Sequence, residues 1–237
     1  MSRAKKEISV EIEESLLRWL DEQAGGPEGR SDVVEDALEA LRESTREVFS
    51  REVLGNTVVS SGEPEVTIEV DGSLRYVGRD RFILFGVAQA ELFIFTEERD
   101  GVVERMLWIQ FEGYMDNNRY HYTYPPEPKE RLGAHYYVYS TNLRRVESWE
   151  EIPDTDASHV VSLLKGEELR LENEFVFHRF VRTLNEGRRK ELMIIYLEGL
   201  SRAGYSSENF HWERSTPLEL TQEMHRRALE SFTILEG

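Results

Sequence analysis

Two hydrophobic periods follow one another at the start of the chain. Ile8, Val10 and Ile12 alternate with Ser9 and Glu11, the period of a strand with one face buried. From Leu16 the period lengthens: Leu16, Leu17, Leu20 and Ala24 share one face of a helix that Gly25, Gly26 and Pro27 end. Ser31 then offers an N-cap with Asp32 in the first turn, and Val33, Val34, Ala37, Leu38 and Leu41 mark a second helix expected to continue through Val48 and Phe49 to Gly55. One short strand and two short helices cannot cover their own apolar faces. The pattern therefore predicts a second copy of the chain pairing strand to strand, a homodimer through the N-terminal strand.

Residues 56–64, NTVVSSGEP, are small and polar and read as a linker. Strand periods follow. Val66, Ile68 and Val70 alternate up to Asp71-Gly72, a hairpin signal, with Leu74 to Val77 returning. Phe82 to Phe95 is an apolar run interrupted at Gly86, and Asp100-Gly101 turns the chain into Val102 to Phe111. Arg119 to Tyr124 is expected to pair with His135 to Tyr139 across a Pro-rich loop, and Phe175 to Leu184 with Leu192 to Leu197 across Asn185-Glu186-Gly187. Asp154 to Lys165 has helical spacing, and Thr216-Pro217 has the form of a cap and first helical position for a last helix.

The expected fold class is α+β. Residues 1–55 form the N-terminal module, 56–64 the linker, and 65–237 a mainly antiparallel domain, a curled sheet or partial barrel with two or more helices.

The order ISVEIEESLLRWLDE, a Gly-rich turn, then GRSDVVEDALEAL resembles the ribbon-helix-helix family over about residues 5–45. Gly29-Arg30-Ser31 followed by Val33-Val34 and Ala37-Leu38 is the most specific part. The resemblance implies paired strands in a major groove, with Glu7, Ser9 and Glu11 facing bases beside Lys5 and Lys6, and with Arg30 and the amides of Ser31 and Asp32 at a phosphate. Glu7 and Glu11 stand where the family usually carries basic or amide side chains.

Charge bears directly on that implication. The chain has 46 Asp and Glu against 29 Lys and Arg, a formal net charge of −17, and such a field repels phosphate backbones. Without cysteine there are no disulfides and no thiolate sites. No window has the apolar length of a membrane span and the N-terminus lacks a signal-peptide pattern, so a cytoplasmic protein is expected.

Candidate chemistry lies mostly in tyrosines. If Arg119 to Tyr124 is a strand, Tyr120, Tyr122 and Tyr124 share a face, and with Tyr137 they form a candidate wall for a flat or cationic ligand, or else a core stripe. His121, His135 and His178 would suit a metal only by convergence, and no ligand spacing supports one, so no metal or cofactor is expected. Paired acids such as Glu97-Glu98, Glu150-Glu151 and Glu167-Glu168 read as solvated charges. Arg188, Arg189 and Lys190, with Arg179 and Arg182, are the densest basic group. No nucleotide-binding or hydrolase motif is present.

Three functional readings follow. One is a non-enzymatic dimeric transcriptional regulator that docks on DNA and carries a C-terminal sensor or oligomerisation domain. The other is a protein-interaction module whose N-terminal part only dimerises. An enzyme with its site in the C-terminal domain is the third.

Overall fold

A computed structural model describes residues 12–35, 38, 50–145, 149, 155–184, 186–202, 204–206 and 218–235. The chain divides into two compact units, Met1–Ser50 and Arg51–Gly237. In the first, helix α1 (Glu14–Ala24) ends at Gly25, whose left-handed conformation lets its N–H reach Asp21 O. A 3₁₀ turn (Pro27–Gly29) leads to a second helical stretch, α2, over residues 30–35. Helical spacing and the Gly-Gly-Pro stop are thus both realised.

Among the described residues the second unit has twelve strands: β1 (Arg51–Leu54), β2 (Thr57–Ser60), β3 (Val66–Val70), β4 (Arg75–Leu84), β5 (Ala88–Arg99), β6 (Val102–Tyr114), β7 (Lys129–Leu132), β8 (His135–Arg145), β9 (Arg170–Leu171), β10 (Glu174–Thr183), β11 (Lys190–Gly199) and β12 (Phe232–Leu235). Helices α3 (Asp156–Gly166) and α4 (Leu218–Glu230) complete it. A four-stranded sheet runs β1-β2-β3-β12, and a larger one runs β4-β5-β6-β11-β10-β8-β7 with β9 added to β6. Every pairing is antiparallel except β6 with β9.

This corrects the expected fold class. Among the described residues the N-terminal unit shows short helical segments followed by strands from Arg51 where a ribbon-helix-helix module was expected, and the second unit is two mainly antiparallel sheets with short helices. The strand expected over Ile8 to Ile12 lies outside the described residues except for Ile12, which has no regular structure. The helix expected to reach Gly55 is instead β1 from Arg51, and the supposed linker contains β2. Gly55-Asn56 is a two-residue hairpin turn with Gly55 at φ 62°, and Val58 and Ser60 are buried. Small polar residues hid a strand because their partner is the equally short β1.

The Asp71-Gly72 turn does not close a hairpin. β3 pairs with β2 and β12, while β4 pairs with β5, so this turn carries the chain from one sheet to the other. Asn56 Nδ2 holds the corner by donating to Asp71 O and Leu74 O at 3.1 and 2.7 Å.

Strands β5, β6 and β11 are near-continuous apolar runs because both faces of the larger sheet are covered. Phe93, Phe95, Leu107, Ile109, Ile194 and Tyr196 join Val58, Ile68 and Ile234 of the smaller sheet in one core, with Ala228 of α4. The opposite face packs Leu92, Ile94, Trp108 and Ile195 against Val160, Val161 and Leu164 of α3. Thr155 caps α3 reciprocally with Ser158, and Gly78 lets Leu163 come close to β4, where a Cβ would stand 3.2 Å from Leu163 Cδ2. The cap and first position expected at Thr216 and Pro217 lie outside the described residues. Among the described residues no helix is long and apolar enough to cross a membrane.

Candidate functional site

Trp108, Gln110 and Glu112 are alternate residues of β6 and therefore share the sheet face that α3 partly covers. Trp108 Nε1 donates to Gln110 Oε1 at 2.9 Å, and Gln110 Nε2 donates to Glu112 Oε2 at 2.8 Å. On the adjacent strand, Glu191 stands directly opposite Glu112 in the register of β11 with β6. Opposed residues of antiparallel strands have Cβ atoms about 4.5–5.5 Å apart, so the two carboxyl groups are forced into one another's field. Both glutamates are buried.

The cover comes from residues 115–128, which connect β6 to β7 without helix or strand. Tyr122 donates its hydroxyl to Glu112 Oε1 at 2.7 Å, and Tyr124 donates to Glu191 Oε2 at 2.7 Å. The Tyr114 and Tyr122 rings stack with centroids 4.4 Å apart. Arg189 fixes this segment by donating to Tyr120 O at 2.9 Å and Met115 O at 2.7 Å, and Tyr122 N donates to Arg188 O at 2.8 Å.

Two further charges face the pair. Arg179 of β10 lies over the Tyr124 ring, 5.6 Å from its centroid, and its buried Nε has no hydrogen-bond partner among the described residues. Asp156 opens α3 and adds a third acid, its own carboxyl raised above the usual range by burial despite Arg179. Burial pushes Glu191 up to about 8, reinforced by the charge of Glu112 and opposed by the Tyr124 hydrogen bond and by Arg179. Burial also raises Glu112, against the donors Tyr122 and Gln110. At neutral pH the pair retains a proton. Burial and the adjoining carboxylates likewise keep Tyr122 and Tyr124 as neutral donors.

No family model, curated protein or solved structure matches the chain. The site is therefore read from its own geometry.

Of the four tyrosines expected to line one wall, two meet at the carboxyl pair and two lie elsewhere. Residues 119–124 are not a strand, yet Tyr122 and Tyr124 both reach the carboxyl pair. Tyr120 is exposed beside Tyr114, and Tyr137 is buried in the core between the sheets, on the other side of the larger sheet. The glutamates were legible only as members of apolar strands, and their partnership depends on a register that a single sequence does not disclose. Lys5, Lys6, Glu7, Ser9 and Glu11 lie outside the described residues. Arg30 is engaged with Asp21, Nη2 to Oδ2 at 2.7 Å, while Ser31 and Asp32 are exposed within the first turn of α2, which begins one residue before the expected cap.

The basic group does not form a common surface. Arg189 holds the loop, Lys190 pairs with Glu63 at 3.0 Å, and Arg179 turns to the carboxyl site. His121 is exposed and His178 is fully buried, and among the described residues no three histidines or acids are grouped to hold a metal. A cleft of about 690 Å³ at the end of the larger sheet is lined by Arg99, Glu104, Arg145, Arg170, Glu174 and Tyr205 among others. Its charges largely neutralise one another, Arg99 with Glu104 at 3.2 Å and Arg145 with Glu174 at 3.3 Å.

Proposed function

We propose that the chain is a ligand-responsive regulatory protein, without catalytic activity, whose β unit takes up a small organic cation at the Glu112–Glu191 pair and whose helical unit joins a second copy. The observation that carries this reading is the register that sets two buried glutamates face to face beneath Tyr122 and Tyr124. Carboxyl groups removed from water keep a proton unless a cation replaces it. An ammonium or amidinium group supplies that charge, and the tyrosine faces add cation–π attraction. Residues 115–128, the segment without regular structure that carries Tyr122 and Tyr124, move aside to admit the ligand.

The second copy follows from what the helices leave uncovered. Leu16 and Trp19 are 56% and 55% exposed, Ile12, Val34 and Leu38 are exposed too, and Leu20 is the one buried apolar side chain among the described residues of this unit. A unit so small with so little core gains most by closing its apolar face against an identical one. The net charge of −17 and the commitment of Arg30 to Asp21 favour a protein over DNA as the dimer's output partner.

A thermal-shift screen of primary amines, guanidines and quaternary ammonium ions tests the binding claim. A saturable rise in melting temperature that Glu112→Gln and Glu191→Gln abolish is expected. No shift with any class overturns it. Polarisation of a labelled random-sequence duplex at low salt is expected to show no binding, whereas strongly salt-dependent binding makes DNA the output partner.

A further inference from the structure

Glu91 of β5 is 5% exposed and shares the face of its strand with Phe93 and Phe95, the face turned to the smaller sheet. Arg81 stands directly opposite it on β4 and holds Oε1 through Nε at 2.8 Å and Nη2 at 2.6 Å. Arg51 of β1 reaches from the smaller sheet to Oε2, with Nη1 at 3.1 Å. It also donates from Nη2 to Glu63 O at 2.9 Å and lies over the Phe111 ring, 4.1 Å from the centroid. Both oxygens of the carboxylate are thereby engaged.

A third guanidinium comes to the same place. Arg79 shares the face of β4 with Arg81, and its Nη1 is 4.0 Å from Glu91 Oε1 and 3.4 Å from Arg51 O, both long for a guanidinium contact. Its side chain is 44% exposed. A β-bulge between Tyr76 and Gly78 brings Tyr76 onto this face as well, opposite Phe95 as Arg79 is opposite Phe93. Tyr76 feels the charges of both Arg79 and Glu91, and its hydroxyl has no hydrogen-bond partner among the described residues. Asp80, between the two arginines, turns to the other face of the sheet and meets His159.

Three guanidiniums around one carboxylate exceed it by two positive charges, in a chain whose formal net charge is −17. Like charges side by side on a sheet repel one another, and an anion offsets that cost. We propose that Arg79, with Arg51, Arg81 and the Tyr76 hydroxyl, binds the phosphoryl group of inorganic phosphate or of a phosphate monoester. Glu91 is a positioning residue that holds Arg51 and Arg81 in place. A phosphoryl group carries about −1.5 to −2 charge at neutral pH, which matches the excess. Its oxygens point in several directions and suit donors arriving from β1 and from β4, whereas a carboxylate offers one plane. Glu112 and Glu191 lie on the opposite face of the larger sheet, so the two sites stand independently.

Calorimetric titration of the full chain with inorganic phosphate at neutral pH and low chloride tests it, with phosphoserine in a parallel titration and far-UV circular dichroism to confirm folding of each variant. Saturable binding of one phosphate per chain is expected. Loss of a charged donor weakens it at least about tenfold in Arg79→Gln, a half-exposed residue whose removal leaves both ion pairs of Glu91 intact. Arg75→Gln, on the same strand but paired with Glu98 at 3.0 Å, binds as the parent does. Tighter binding of phosphoserine makes a monoester the occupant, and tighter binding of inorganic phosphate makes it the free ion. The proposal is overturned by the absence of binding at roughly 10 mM phosphate, by binding that folded Arg79→Gln retains unchanged, or by equally strong binding of acetate at the same ionic strength.

Discussion

Glu112 and Glu191 stand directly opposite one another on neighbouring strands, both buried, and each accepts a hydrogen bond from a different tyrosine of the same loop. Such a pair binds a proton more tightly folded than unfolded, and this sets the alkaline limit of stability. Glu191 moves from an ordinary 4.5 up to about 8, so across that window the folded chain holds a proton that the unfolded chain has released. Unfolding free energy therefore falls as pH rises from about 4.5 to about 8. Glu191→Gln is expected to flatten this limb and to be more stable than the parent above pH 8 by an amount on the order of a few kcal/mol. Urea denaturation across the window measures it, and a parent protein with no alkaline limb contradicts it.

Tyr122→Phe removes a donor from a buried carboxyl while leaving the ring stacked on Tyr114. A loss of about 1–3 kcal/mol is expected. Because the hydroxyl favours the ionised form, the pair should also titrate at higher pH in the variant. The protonated-carboxyl stretch in infrared spectra, followed against pH, reads this directly, and an unchanged titration removes Tyr122 from the network.

The acid limit has a separate origin. Burial, with the charges of His225 and Arg227, holds His178 down from 6.5 to about 3, so the unfolded chain takes up a proton below pH 6.5 that the folded chain refuses. Stability is complete above that value and falls as pH drops from 6.5 towards 3. In His178→Phe this limb is expected to lessen, at the expense of about 1 kcal/mol at neutral pH for the lost Tyr139 contact. Melting temperature against pH gives the comparison, and an equally steep acid limb in the variant argues against His178 as its source.

Local periodicity disclosed the elements whose signal is local. Gly25 ends α1, Asp100-Gly101 turns β5 into β6, and the spacing of Val160, Val161 and Leu164 marks α3. Pairing between distant elements was beyond its reach. Asp71-Gly72 has the chemistry of a hairpin but joins two sheets, because β3 finds better-matched edges in β2 and in β12, at the far end of the chain. The ribbon-helix-helix expectation leaned on helical spacing that α1 does follow, and failed where short polar strands succeed the helices. Tyr122 and Tyr124 were visible as a cluster, but the glutamates they meet lie ten and sixty-seven residues away, brought there by register. The gathering of Arg51 with Arg79 and Arg81 on Glu91 leaves no trace in spacing either, because a strand of the other sheet supplies Arg51.

Self-association of the helical unit has a direct check. Leu16→Glu with Trp19→Glu places charge on the exposed apolar face without touching Leu20. Light scattering is expected to show the parent as a dimer and the double variant as a monomer whose β unit melts at the parent temperature. A parent that is monomeric at all concentrations contradicts the proposed closure.

The most direct measurement of the carboxyl-pair claim is calorimetry with the best-binding amine or guanidine, repeated in buffers of different ionisation enthalpy at neutral pH. Replacement of the shared proton by the ligand's charge predicts saturable binding with release of about one proton, both lost in the Glu112→Gln, Glu191→Gln double variant. Binding without proton release, or binding that the double variant retains, would show that the cation does not sit between these two glutamates.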